Sequence, residues 1–394
     1  MGNLRPGMII WSNVDGHIRP RMITHWQKTG TKQIYVLRTR NRMLRASGNH
    51  PVLTRVPGKM TGRNADKHST LEWRKLEDIR PGDYVVQPQY LPEQGEDKLP
   101  DGSIATIEMM KLFGCILGDG TVDTVRGKLR MSIPEDSRVY SDYRSLVERL
   151  VFKNNGDQAH INLSTRSFNA SAANQMRTFE QYGLGGRAHT KRIPGWIYRL
   201  TRDLRLGVLA GLVDSDGYID ARGALTFGMC NEDLVCDIRE LLLSAGIQTS
   251  NVRATVVAES ALPNPGKMRS YAAYYITASA AADIAAIPFS DALYRERVEA
   301  NNDRLRRAGK HHRNPWLSPD FGFYRVREVL TENIEDVYDI EVEGGHSFIA
   351  DGIVVHNSNF QQATETFWQD TMWPELMIIE VDLRDNLRTD DGGF

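Results

Sequence analysis

The stretch LAGLVDSDG at residues 209–217 decides the fold, because LFGCILGDG at 112–120 aligns with it position for position. Each is an apolar helical run ending in Asp-Gly. Each carries small residues four apart on one helical face, Gly114 with Gly118 and Gly211 with Ser215. That spacing lets two helix backbones approach closely, since no side chain props them apart. Packed together, the helices would bring Asp119 and Asp216 out side by side at one end of the pair. The placement is electrostatically costly. Each carboxylate faces the negative end of a helix dipole, and each raises the other's pKa. A divalent cation between them removes the cost, and oxygen-only ligands favour Mg2+. Two carboxylates sharing metal suit in-line phosphodiester hydrolysis. For one copy alone, an Asp-Gly turn that merely ends a helix is the better reading. Two aligned copies with matched small faces favour the site.

The flanking segments repeat in the same order. GKLRMSIP is strand-like and RVYSDYRSLVERLVF helical after the first copy. YIDARGALTFGM and NEDLVCDIRELLLSAGI follow the second, with Asn231 as N-cap and Gly246 near the helix end. KMRSYAAYYITASAAADIAAI adds a strand and a helix. Residues 96–324 therefore read as an α+β domain with an internal pseudo-twofold repeat.

Both ends of the chain read as β. NLRPGMIIW (3–11) and DIRPGDYVV (78–86) each place Arg-Pro-Gly, a turn signal, before an apolar run, so residues 1–95 read as a small all-β unit of two similar halves. From 325 the β pattern returns, and Gly344-Gly345 and Asp351-Gly352 are two-residue turns of tight hairpins. These strands are expected to pair with the first unit, so that 96–324 interrupts a β-domain made of 1–95 and 325–357. From Ser358 the texture changes to an acidic, aromatic, helix-like tail, 358–394.

Of the 394 residues, 41% are apolar and 25% charged, an ordinary globular balance. No apolar run reaches 18 residues and no charged-then-apolar leader opens the chain. The three cysteines, Cys115, Cys230 and Cys236, lack metal-ligand spacing and are expected to be buried small residues in a reducing compartment. The net charge of −1 conceals a basic front, with 16 Lys and Arg against 7 Asp and Glu in 1–95, and an acidic tail, 2 against 8 in 358–394. The near-neutral middle offers no bulk-charge case for DNA binding, so any such case rests on local clusters.

The paired helices resemble the LAGLIDADG homing endonucleases, in the two-motif form that acts as a monomer. The second motif is nearly letter-perfect; the first departs at Phe113 and in Gly118-Asp119-Gly120. The resemblance implies that Asp119 and Asp216 are metal-binding catalytic acids for cutting double-stranded DNA with Mg2+. KRIPGWI (191–197) is similar to the family's Lys-x-Ile-Pro element and makes Lys191 the catalytic lysine, orienting water or stabilising transition-state charge. A solvated loop lysine is the alternative. Strands over 127–133 and 221–228 would form the DNA saddle, and the basic run 304–313 is either a phosphate contact or a solvated connector.

The interrupted β-domain resembles the Hint domain of inteins, over VYDIEVEGGHSFIADGIVVHNS (337–358). The chemistry accounts for the residues: Asn357 attacks its own main-chain carbonyl, His356 assists the leaving amine, His346 activates the amide, and Ser358 offers a hydroxyl for acyl transfer. Asp339 tunes the site. ASGNHPVLT is similar to the family's Thr-x-x-His element, with Ser47 in the threonine's place and His50 as the histidine that polarises the upstream peptide. The family pattern puts a Cys or Ser nucleophile roughly 20 residues before Leu4. Met1, Gly2 and Asn3 offer none, so the chain as given is expected at most to cyclise Asn357 and release the tail.

SNFQQATETFWQDTMWPELMIIEVDLRDNL resembles a segment of tailed-phage portal proteins, implying a portal-type C-extein and a cytoplasmic setting in a phage or prophage host; an unrelated acidic amphipathic helix is the alternative. The whole reads as a multidomain protein: a Hint domain interrupted by an endonuclease, with a short α-helical tail. Two other readings stand beside it: an autoprocessing protein with a decayed nuclease, and a phage structural fragment with a passive insert.

Overall fold

The computed structural model describes residues 4–56, 70–90, 95–151, 161–164, 167–257, 271–279, 281–307, 320–344 and 347–357. The tail 358–394, with Ser358, and His346 lie outside them, as do 308–313 of the basic run. The chain divides into two compact units. One takes the described residues up to Leu37, Leu44–Gln87 and those from Val326 on; the other takes Arg38–Met43 and Pro88–Arg325.

The first unit opens with β1 (Ile9–Val14), β2 (His17–Arg38), β3 (Met43–Ser47), β4 (Pro51–Val56), β5 (Thr70–Lys75) and β6 (Tyr84–Pro88). The two Arg-Pro-Gly elements form matching turns. Gly7 and Gly82 both have positive φ, 91° and 106°. Met8 N donates to Arg5 O (3.2 Å) and Asp83 N to Arg80 O (3.1 Å), as a type II turn with Pro in its second place requires. The β1–β2 hairpin closes on Asp15-Gly16, both at positive φ, with Val14 paired to His17.

The second unit contains α1 (Ile107–Asp119), β7 (Gly120–Asp123), β8 (Lys128–Met131), α2 (Tyr140–Val151), β9 (Ile161–Ser164), β10 (Ser167–Ser171), α3 (Ala173–Gln181) and α4 (Arg202–Asp216). It continues with β11 (Gly217–Ile219), β12 (Leu225–Met229), α5 (Glu232–Ser244), β13 (Arg253–Val257), β14 (Tyr271–Ala278), α6 (Ala281–Ile284), α7 (Ala292–Arg307) and β15 (Phe321–Arg325). Its sheets have the orders β7-β8-β10-β9 and β11-β12-β14-β13, one the repeat of the other. Even the hairpin turns repeat. Gly127 and Gly223 sit at φ 61° and 71°, and Asp123 and Asp220 accept from turn amides, Arg126 N at 2.9 Å and Arg222 N at 2.8 Å. Period-2 alternation turns Leu129, Met131, Leu225 and Phe227 into the core and leaves Lys128 and Arg130 exposed. The first residues of the basic run are the end of α7, where Arg304 folds back on Asn301 Oδ1 at 2.7 Å; they are helix, not connector. Asn231 accepts from Leu234 N at 3.1 Å as N-cap of α5, and Gly246 follows that helix at φ 86°.

The chain then returns to the first unit with β16 (Glu328–Val342), β17 (Ser347–Ala350) and β18 (Ile353–His356). One sheet runs β1-β2-β16 with β3 also on β2; in the other, β6, β4, β18 and β17 are successive neighbours, with β5 also on β4. Asp351-Gly352, at φ 48° and 72°, closes the β17–β18 hairpin. The core between the sheets includes Ile23, Leu37, Val52, Val85, Ile340, Phe348 and Val355. Of the three cysteines, Cys115 is buried, whereas Cys230 and Cys236 are only half-buried, because they sit beside and on α5 rather than in the helix pair.

Candidate functional site

The site of the second unit is built by the close approach of α1 and α4. Thr106 caps α1 by accepting from Met109 N at 3.2 Å. A Cβ at Gly114 would collide with the Val208 carbonyl oxygen, and one at Gly211 with that of Lys111. At Gly118 it would meet Ser215 Oγ and, at 2.5 Å, Asp216 Oδ2. Backbone therefore lies against backbone along the pair, and the carboxylate of Asp216 leans over the other helix.

Both helices end at their aspartate and run straight into a strand. Gly120 and Gly217 have extended backbones, φ −88° and −82°, so neither Asp-Gly is a left-handed turn. Glycine is needed there for space: a Cβ at Gly120 would lie 2.5 Å from Ile116 Cα, and at Gly217 2.6 Å from Val213 Cα. Asp119 and Asp216 thus stand half-buried at the joined C-termini. The Asp119 carboxyl is pushed up to about 7 by burial and then by the Asp216 charge, with Lys191 pulling it back. Burial raises Asp216 also, against the same lysine.

Lys191 is no solvated loop lysine. It is 4% exposed, and its ammonium donates to Ile116 O (2.8 Å), Gly118 O (2.8 Å) and Gly120 O (2.5 Å). It caps the carbonyl end of α1 and neutralises the negative pole that Asp119 would otherwise face alone. Burial lowers its pKa while Asp216 and Asp119 hold it up. Its loop is pinned by Asn231, whose Nδ2 donates to Lys191 O (2.9 Å) and Ala188 O (3.0 Å) while its Oδ1 caps α5.

The repeat breaks here. Ile193-Pro194 has a counterpart in Ile287-Pro288, with both isoleucines buried, but two residues earlier the second copy has exposed Ala285 where the first has Lys191. Gly217 O, the equivalent of Gly120 O, receives the neutral hydroxyl of Tyr294 at 3.2 Å instead. Asp214, within the second motif, has no catalytic signature in the sequence. It accepts from Tyr143 Oη (2.8 Å), Ser290 N (2.8 Å) and Asp291 N (3.2 Å), and so anchors α4 rather than joining the carboxylate pair.

In the first unit, Val52 of β4 pairs with Val355 of β18, and the same register carried two residues on sets His50 opposite Asn357. Asn357 is 5% exposed. His356 Nδ1 lies 2.6 Å from Asn357 O, the carbonyl that cyclisation would attack, so the ring is placed on the carbonyl oxygen. The His50 ring is lowered in pKa chiefly by burial, with His356 and Lys32 adding and Asp339 opposing. Asp339 and His356, from distant positions in sequence, therefore both act on His50. Ser47 closes the turn before β4, its carbonyl accepting from His50 N at 3.0 Å. Ser347, which carries no catalytic signature in the sequence, pairs with His356 across the hairpin, donates Oγ to Asn13 O at 2.9 Å, and receives Ser12 Oγ on its carbonyl.

A relative from Mycobacterium leprae, an iron-sulfur cluster assembly SufBD family protein, is 26% identical over 358 residues, covering 84% of this chain and 39% of that protein. Protein RecA of Mycobacterium tuberculosis is 24% identical over 445 residues, 91% of this chain and 53% of that one. The chain thus spans about two fifths to a half of the length of these relatives. Among solved structures, I-DmoI in complex with DNA and Ca aligns at TM-score 0.31 and 14% identity, covering 45% of this chain and 85% of that one. Full-length DUF199/WhiA from Thermatoga maritima aligns at TM-score 0.31 and 14% identity, over 57% and 69%. The family model of the intein splicing domain matches residues 9–357, from β1 to the asparagine that follows β18. The chain belongs to the intein splicing domain family.

Proposed function

We propose that the second unit is a LAGLIDADG-type endonuclease making double-strand breaks in DNA, carried as an insert by the Hint-type splicing domain of 1–95 and 325–357. The observation that carries this reading is the pair of half-buried carboxylates at two helix ends packed backbone to backbone, with one ammonium behind them. Among the described residues no three His, Cys, Asp or Glu gather around a point. The protein would therefore offer two carboxylates and leave the other positions to phosphate and water, an all-oxygen set that fits Mg2+. Asp119 and Asp216 would hold the ion, which when bound neutralises their charge and lowers the pKa of attacking water. Lys191 keeps positive charge at the end of α1, and the exposed Lys128 and Arg130 offer phosphate contacts on the flanking sheet. One monomer holds both motifs. A supercoiled plasmid carrying the flanking coding DNA, joined without the intein codons, tests this reading: cleavage with Mg2+, lost in Asp119→Asn and Asp216→Asn, is the expected result. No cut by the parent chain refutes it.

A second activity is favoured by the 2.6 Å contact of His356 on the Asn357 carbonyl. On this reading Asn357 cyclises and releases the tail from Ser358, a portal-type extein segment, in the cytoplasm of a phage or prophage host cell. Relatives named for iron-sulfur assembly and for RecA are what an element carried by unrelated host proteins produces. Mass spectrometry of the incubated chain should show loss of the mass of 358–394.

A further inference from the structure

We propose that Trp73 is a positioning residue for cleavage after Asn357, holding the His356 imidazole so that Nδ1 meets the Asn357 carbonyl oxygen. The proposal rests on reading Asn357-Ser358 as a cleavage junction. Trp73 stands on β5 opposite Leu53 of β4, and β4 pairs on through Val52 with Val355 of β18. Alternation along these ladders turns Trp73, Leu53 and His356 to one face. The Trp73 and His356 rings meet at 4.9 Å between centroids with planes 88° apart, an edge-to-face contact. Trp73 remains 40% exposed, an open place for the largest aromatic, and burial in the core does not account for it.

The need for such a wall follows from the histidine's own freedom. An imidazole turns readily about χ2, whose wells are broad. A contact with the carbonyl of the very next residue uses one orientation of that ring. A perpendicular indole beside it removes the competing orientations at the expense of a side chain that is already ordered by the β4–β5 pairing. In the reaction, Asn357 Nδ2 bonds to the Asn357 carbonyl carbon and the C–N bond to Ser358 breaks. The Nδ2 proton passes to the departing amine, leaving a succinimide on 1–357 and a free amino terminus on the tail. His356 Nδ1–H donates to the oxyanion as it develops, which places the donor where charge appears. Trp73 touches none of the reacting atoms.

The test follows tail release from the full chain by intact mass spectrometry. Trp73→Leu, which keeps apolar bulk without a ring, is expected to slow release about ten-fold or more, while Trp73→Phe stays within about three-fold of the parent. In an Asn357→Ala background that cannot cleave, the 15N signal of His356 Nδ1 should lose its hydrogen-bonded shift in Trp73→Leu and retain it in Trp73→Phe. Release at the parent rate from Trp73→Leu, or equal slowing by both substitutions, overturns the positioning role. A parent chain that releases no tail refutes the cleavage reading, and an unchanged His356 signal in Trp73→Leu then overturns the positioning role separately.

Discussion

Replacing Asp119 with Asn should stabilise the second unit at alkaline pH while removing DNA cleavage. The carboxyl is raised from 3.8 to about 7 by burial and by Asp216. At about 1.4 kcal/mol per pKa unit this is an upper limit of about 4 kcal/mol, and water reaching a half-buried group reduces it to about 2 kcal/mol. The sign follows from the direction of the shift. A carboxyl with a raised folded pKa carries no penalty well below 3.8, a growing one as pH rises toward 7, and the full one above it. The amide of the Asp119→Asn variant takes no charge at any of these pH values, so its advantage over the parent should grow through the same window. Cys115, wholly buried in α1, reports opening of the helix pair. With Cys230 and Cys236 replaced by Ser in both proteins, thiol labelling of Cys115 at pH 8 should be about 30-fold slower in Asp119→Asn, and only a few-fold slower at pH 5. Mg2+ at pH 8 should narrow the ratio by protecting the parent. Equal labelling at pH 8, or a ratio that widens on acidification, would refute the electrostatic account of this site.

Gly114→Ala places a methyl on the Val208 carbonyl and forces the helices apart; a loss of about 3 kcal/mol or more is expected in thermal or urea denaturation. Lys191→Met leaves three carbonyls at the end of α1 without their cation and should cost about 3 kcal/mol, with Asp119 titrating still higher by NMR. Because the second copy has Ala285 and a neutral Tyr294 where the first has Lys191, the two DNA strands should be cut at unequal rates, with nicked plasmid accumulating before linear. Ala285→Lys should speed the slower strand. His356→Ala should slow tail release by about two to three orders of magnitude, the range for losing one donor to a developing oxyanion, measured by mass spectrometry.

The duplicated motif is readable because its constraint is local and periodic. Small residues four apart define a face, and a face that tolerates no Cβ demands a partner of the same kind, so Gly114 and Gly211 announce each other from the letters alone. Arg-Pro-Gly at 5–7 and 80–82 likewise predicts two turns, since Pro sets φ and Gly supplies the positive φ found at Gly7 and Gly82. Other features have no such local signature. Gly120 and Gly217 look like turn glycines, yet they are required by the nearness of the preceding helical turn. Residues 38–43 carry no motif but belong to the second unit, where Arg42 pairs with Glu240 at 2.7 Å and Asn41 reaches Gln248 at 2.6 Å. Asp15-Gly16, by contrast, carries the same Asp-Gly hairpin signal as Asp351-Gly352 and takes the same positive φ at both residues.

From residue types and spacing came two acids at helix ends; resemblance to known families added a lysine before Ile-Pro and an asparagine after a histidine at the close of a hairpin. Tertiary structure decided which atoms meet. It turned Lys191 inward onto three carbonyls, set His356 on the carbonyl of Asn357 with Trp73 against its ring, and left Asp214 as an anchor beside the carboxylate pair. Spacing along a chain fixes only neighbours within a few residues of one another. The charge that Asp119 feels comes from Asp216 and Lys191, and only packing brings those groups near enough, in a medium dry enough, for that charge to matter.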